Sequence, residues 1–293
     1  MREVVMDFVR DWRDAAWYDL DAEGCAPAPD ADFEEVCRRF GDLQRRLIPV
    51  RPRQVMLARE LHCPPHLLDG LDLIRRKIES GENLRAHLSS SVARFDRPDD
   101  LLSDWGIHHL HLGTDLRRNG LVERTGPLLF ARFTPETAYF INIYDHSSWS
   151  KQELIKVLHR NWPETLNEYR LKGVTRSSLN LTDDDMARLR GHQLNAPVEV
   201  EPGTVYAMIG GGITASRVAA EVVRRCDKLY DLLHWFEAYV RDCVDDFVAQ
   251  AEDRGSRFGA ELRFRLISAQ DGWLAYEEHS QAAMRLPLPD SPD

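Results

Sequence analysis

The stretch Trp105-Gly106-Ile107-His108-His109-Leu110-His111-Leu112-Gly113 combines a strand-like apolar pattern with three closely spaced histidines. Two further short apolar runs follow it, at residues 128–133 and 138–144. Proline-containing and glycine-containing segments separate the three runs, and such segments are typical of turns between strands. The sequence therefore predicts a small antiparallel β-sheet with histidines on its first strand.

The pattern changes on both sides of this sheet. Upstream, apolar residues recur at steps of three and four, as in amphipathic helices. Downstream, a long run with helical spacing lies between two hairpin-like pairs of strands. We therefore predict an α+β protein with three consecutive regions. These are a helical N-terminal region (1–95), a histidine-bearing α+β module with the small antiparallel sheet (96–172) and a C-terminal ββαββ module with the long helix (173–293).

The bulk composition restricts the compartment and the partners. The chain carries a formal net charge of −10, which disfavours nonspecific binding to nucleic acid by the chain as a whole. It has no apolar run long enough for a membrane span, so no membrane partner is expected. The five cysteines are odd in number and scattered, which argues against a disulfide framework. Together these features predict a cytoplasmic protein.

The histidines suggest acid–base chemistry on RNA. Alternate residues of a strand share a face, so His109 and His111 should point the same way, and His146 follows the last strand of the sheet. Cleavage of RNA needs a base for the 2′-hydroxyl, an acid for the leaving oxygen and a cation for the phosphorane charge. Arg132, Lys151 and Arg118 are candidates for the cation. The primary hypothesis is a metal-independent endoribonuclease without a cofactor.

Two other hypotheses use the same residues. His109, His111, Asp145 and His146 form a credible ligand set for zinc or iron, which would make the protein a metal-dependent hydrolase. Alternatively, the histidines are half-buried sheet residues with satisfied hydrogen bonds, and the protein is a non-catalytic binder of a partner.

The order of elements in residues 55–162 resembles the RelE/ParE toxin superfamily. Helices precede three antiparallel strands, a histidine or basic residue closes the last strand, and a short helix follows. The resemblance implies a small ribonuclease that acts at the ribosome, or a gyrase poison. It implies that His146 and Lys151 lie where that family has its C-terminal catalytic group, and that His109 and His111 lie on its second strand.

Two features lie downstream of this module. Residues 209–214, Ile-Gly-Gly-Gly-Ile-Thr, join a strand to the long helix, but they match neither common phosphate-binding pattern. We predict that Gly210–Gly212 form a turn rather than a phosphate cradle. The apolar seam of the long helix predicts a core face or, alternatively, a homodimer interface.

Overall fold

The computed structural model describes residues 2–95, 99–145, 148, 150–174 and 181–288. The chain forms two compact units: unit 1 comprises residues 1–40 and 224–293, and unit 2 comprises residues 41–223. The α+β class is confirmed. The division differs from the three consecutive regions predicted above, because unit 2 is inserted into the chain of unit 1.

Unit 1 packs helices against a four-stranded mixed sheet of order β1-β8-β9-β10. Strand β1 is parallel to β8, whereas β8, β9 and β10 are antiparallel neighbours. Its elements are β1 (Glu3–Val5), α1 (Phe8–Ala22), the first half of α2 (Phe33–Arg46), most of α7 (Ala220–Asp253), β8 (Glu261–Ala269), β9 (Gly272–Glu277) and β10 (Ala283–Leu286).

The core of unit 1 explains the periodicity of the long helix. Phe236 and Val240 of α7 are fully buried and pack with Leu262 and Phe264 of β8. The apolar seam of α7 thus serves the core of unit 1 along this stretch. A homodimer through α7 stays a prediction, and the large apolar side chains that α7 leaves exposed are Tyr230 and Trp235.

Two cysteines of unit 1 form a disulfide, which the sequence analysis did not expect. Cys37 of α2 and Cys226 of α7 are both buried, and their Cα atoms lie 5.8 Å apart. The expectation of no disulfide was wrong for this pair because 189 residues separate the two cysteines, so no local spacing announces their contact. Cys25, Cys63 and Cys243 are not part of a disulfide.

Unit 2 contains a four-stranded mixed sheet of order β2-β5-β4-β3, with β3 at one edge. Strand β2 is parallel to β5, and the other pairs are antiparallel. Its elements are β2 (Gln54–Leu57), α3 (Leu68–Ser80), α4 (Asp100–Trp105), β3 (Ile107–His111), β4 (Pro127–Phe133), β5 (Thr137–Asp145), α5 (Glu153–Asn161), α6 (Asp183–Gly191) and the hairpin β6 (Val198–Glu201) and β7 (Thr204–Tyr206).

Helices cover both faces of the β2-β5-β4-β3 sheet. On one face, Phe130 and Ile141 pack in a cluster with Leu158 of α5. On the other face, Leu129 and Phe140 pack in a second cluster that contains residues of α3. The strands are therefore apolar on both sides, which is why they read as nearly continuous hydrophobic runs.

Two details of the predicted modules need correction. The central sheet is mixed rather than purely antiparallel, because β2, from the region predicted as helical, adds a parallel edge strand. The order of elements in the C-terminal ββαββ module is observed, but its two hairpins lie in different sheets and different units. In the described part of the chain, no helix has both the length and the apolar character needed to cross a bilayer.

Candidate functional site

His109 and His111 lie on the edge strand of the unit 2 sheet and share one face of it. In the register of β3 with β4, His109 is opposite Phe130 and His111 is opposite Leu128. Phe130 and Leu128 belong to the core layer that contains α5, so the two histidines face that same layer. Residues two apart on a strand are separated by roughly 6.5 Å, so the two imidazoles start from adjacent positions along the sheet.

Tyr144 and Lys151 lie at the His111 end of this face. The strand register places Tyr144 there, and Lys151 contacts the Tyr144 ring. Leu128 is opposite His111 on one side and Tyr144 on the other, so the three residues form one row across the sheet. The Lys151 ammonium lies 4.7 Å from the centre of the Tyr144 ring. Three adjacent strands span roughly 10 Å, so a basic group stands at the same end of the sheet as His111.

The Tyr144 hydroxyl is held by a polar network. Asn142 donates a hydrogen bond from Nδ2 to the Tyr144 hydroxyl at 3.1 Å, and Asn142 Oδ1 accepts from the backbone N–H of His62 at 3.1 Å. Burial raises the pKa of Tyr144, so the phenol stays neutral near neutral pH. The ring is therefore a fixed, uncharged platform beneath the Lys151 ammonium.

His109 and His111 differ in exposure. The His111 residue is only 3% exposed, whereas His109 is half-buried. The backbone carbonyl of His111 accepts a hydrogen bond from His87 Nδ1 at 2.9 Å, which anchors the end of β3. The two residues thus have unequal access to solvent, although they share a face.

His87 is a buried histidine that the sequence analysis did not single out. Its second ring nitrogen, Nε2, lies 3.3 Å from the ammonium of Lys77, which is the donor. Burial lowers the pKa of His87 and the charge of Lys77 lowers it further, against the opposing effect of the bond to His111. His87 is therefore a neutral structural residue, and no spacing in the sequence marks it.

His108 has a structural role on the opposite face of the sheet. Its Nε2 donates to the backbone carbonyl of Arg45 at 3.2 Å, and its ring makes an edge contact with Phe133. Burial lowers its pKa to about 4, although the nearby Asp99 carboxylate acts in the opposite direction. The packing around His108 thus keeps its imidazole neutral near neutral pH.

The structure does not bring Arg132 to the His111 end of the sheet. Arg132 is opposite Ile107, four residues along β3 from His111, which corresponds to about 13 Å. Its guanidinium donates to the backbone carbonyl of Thr165 at 3.2 Å and lies over the ring of Tyr169. Arg132 anchors the segment after α5. The same register places it diagonally across from His109, on the shared face but away from His111, so its grouping with the histidines stays a prediction.

Three of the four residues proposed as zinc or iron ligands, His109, His111 and Asp145, are among the described residues. Asp145 follows Tyr144 on β5, so alternation directs it to the face opposite His109 and His111, and it is exposed. His146 lies outside the described residues. Among the residues that are described, no three His, Cys, Asp or Glu side chains are placed to hold a metal ion. The zinc or iron set therefore stays a prediction.

The backbone amides of the Gly210–Gly212 turn already have partners within the protein. Gly210 N–H donates to Asp104, Gly211 to Met208 and Gly212 to Ser103, each through a backbone carbonyl. A Cβ on Gly210 would lie 2.2 Å from the carbonyl oxygen of Leu102. The glycines therefore allow close packing against α4, and the turn predicted from sequence is confirmed.

No protein-family model, curated protein or solved structure matches this chain. The resemblance to the RelE/ParE superfamily consequently stays a prediction.

Proposed function

We propose that unit 2 is a toxin-like, metal-independent endoribonuclease. One observation supports this proposal best: His109 and His111 share a face of the sheet. On that face, the row of His111 across the strands leads to Tyr144, whose ring contacts the ammonium of Lys151. Two imidazoles and one ammonium are the groups that cleavage of an RNA phosphodiester requires.

The unequal exposure of the histidines suggests their roles. In this scheme the imidazole of His111, the less exposed of the two, removes the proton of the 2′-hydroxyl. The 2′-oxygen then attacks phosphorus, and the bond from phosphorus to the 5′-oxygen breaks. Half-buried His109, in its protonated form, gives a proton to that leaving oxygen. The products are a 2′,3′-cyclic phosphate and a 5′-hydroxyl, so protons and electrons balance without an added reactant.

Lys151 supplies the positive charge in this scheme. Its ammonium lies over the Tyr144 ring and forms no ion pair with a carboxylate of the described residues, which suits it to a phosphate oxygen. A cation placed where charge develops stabilises the transition state more than the ground state. His146, which lies outside the described residues, remains a predicted third acid–base group.

The test is cleavage of RNA by the pure chain, with and without EDTA. We expect cleavage that EDTA does not slow, products that end in a 2′,3′-cyclic phosphate, and a bell-shaped dependence of rate on pH. Activity that EDTA abolishes and zinc or iron restores would favour the metal-dependent hydrolase. RNA that stays intact under both conditions, with and without ribosomes, would leave the partner-binding hypothesis.

A further inference from the structure

The segment between β3 and β4 forms an ordered hairpin at the His111 end of the sheet. This hairpin, residues 113–124 and here named the finger, begins two residues after His111. Leu116 and Val122 pair across it, and the backbone N–H of Arg117 donates to the carbonyl of Leu121 at 2.8 Å. Gly120, with φ of +77°, closes the turn at its tip.

The base of the finger is fixed to the body of unit 2. Val122 is buried, and its backbone N–H donates to the carbonyl of Ala86 at 2.9 Å. Leu112 N–H donates to the hydroxyl of Thr125 at 3.1 Å. A Cβ on Gly113 would lie 2.2 Å from the carbonyl oxygen of Glu123, so the two strands of the finger are in close backbone contact.

The finger carries three exposed arginines, Arg117, Arg118 and Arg124, and two exposed carboxylates, Asp115 and Glu123. Arg117 pairs with Glu123 at 3.2 Å, but exposed Arg118 and Arg124 form no ion pair with any described residue. Arg118 occupies the second position of the turn that the Gly120 to Arg117 hydrogen bond closes. Leu116, beside the tip, is 68% exposed. Guanidinium groups of this kind suit phosphate oxygens.

We propose that the finger binds the phosphate backbone of single-stranded RNA through Arg118 and Arg124, beside the catalytic face. The choice of RNA rests on the function proposed above. Arg118 follows His111 by seven residues, so an extended chain places it at most about 23 Å away. The finger thus lies within about 23 Å of His111, and we assign it to binding of the RNA backbone rather than to the chemical step.

Binding is measured separately from cleavage with fluorescent single-stranded RNA that carries 2′-O-methyl groups. Such RNA keeps its phosphates but lacks the attacking hydroxyl. We expect the double variant Arg118→Ala/Arg124→Ala to weaken binding about tenfold or more, and to reduce the slope of log K against log salt by about 1.4. The matched control is Arg254→Ala/Arg257→Ala, which removes two exposed arginines from unit 1 and should bind like the wild type.

The outcomes distinguish this inference from the proposed function. Finger-dependent binding by a wild-type chain that cleaves no RNA would support the finger and contradict the ribonuclease. If the chain cleaves unmodified RNA but wild type and finger variant bind RNA equally, the proposal that the finger binds RNA is wrong and the ribonuclease proposal stands. Equal losses in the finger variant and the unit 1 control would also overturn the finger, because net charge alone would explain them. Absence of any binding by the wild type would overturn it as well.

Discussion

Units 1 and 2 both pack helices on a four-stranded sheet, but they use their buried ionisable side chains differently. In unit 1, the carboxylate of Glu277 is fully buried and accepts from the backbone N–H groups of Arg263, His279 and Ser280. Glu237 accepts from Phe8 N–H at the start of α1. These carboxylates satisfy backbone donors that the secondary structure leaves without partners.

Unit 2 buries the Asp104–Arg190 ion pair and, unlike unit 1, also encloses imidazoles. His87 and His108 are neutral and hydrogen-bonded to carbonyls, so they have the same structural use as the carboxylates of unit 1. His109 and His111 differ, because they share a face with the row that leads to Lys151. On the function proposed above, the chemistry would lie on this face of unit 2.

The largest stability effect should come from the disulfide of unit 1. A cross-link between residues 189 apart lowers the entropy of the unfolded chain by an amount worth about 5 kcal/mol. We expect Cys37→Ser/Cys226→Ser to lower the melting temperature strongly, and reductant to have the same effect on the wild type. The control Cys63→Ser, a free thiol in unit 2, should change little. A wild type that melts identically with and without reductant would show that the bond does not stabilise unit 1.

The next effect concerns His108 of unit 2 and is pH-dependent. The unfolded histidine titrates near 6.5 and the folded one near 4, so the unfolded chain binds the proton more tightly between these values. The free energy of unfolding should therefore be unaffected by this group above pH 6.5 and fall by up to about 3 kcal/mol towards pH 4. His108→Gln, which keeps a donor for the Arg45 carbonyl, should flatten this dependence.

Urea unfolding of the wild type and of His108→Gln, measured between pH 6.5 and 4, gives the pH dependence of the free energy of unfolding for each protein. Exposed His192 provides the control, because His192→Gln should keep the wild-type slope. Equal slopes in the wild type and the His108 variant would contradict the assignment of His108 as a buried neutral group.

A smaller effect is expected at Glu277 of unit 1. Burial alone would raise the pKa of Glu277, but hydrogen bonds from Ser280, His279 and Arg263 lower it overall. Glu277→Gln replaces one acceptor oxygen with a donor, so we expect a loss of about 1–3 kcal/mol. Glu278→Gln, at the neighbouring half-exposed residue, is the control and should cost much less. Similar melting temperatures for the two variants would remove the special role of Glu277.

The sequence predicted those elements whose signals are local. The strand expected within residues 105–113 is observed at Ile107–His111, and the long helix expected between the two C-terminal hairpins is observed at Ala220–Asp253. The parallel pairing of β1 with β8 was missed, because strands so far apart in the chain leave no local pattern. The insertion of unit 2 was missed for the same reason.

The candidate site was predictable to the same limited extent. Strand alternation alone indicated that His109 and His111 share a face. It did not indicate where Arg132 lies, because the position of a residue along a sheet depends on register between strands, and register follows from tertiary packing. His87 could not be found at all, because only its burial beneath the end of β3 identifies it.

The most direct test of the central claim is the single-turnover rate of RNA cleavage by His109→Ala. A positioned acid typically contributes 10²–10⁴-fold to the rate, so we expect a loss of roughly that size, with folding retained. The control His192→Ala removes an exposed histidine and should cleave at the wild-type rate. A His109→Ala protein that cleaves RNA as fast as the wild type would contradict the assignment of chemistry to the histidine face of unit 2.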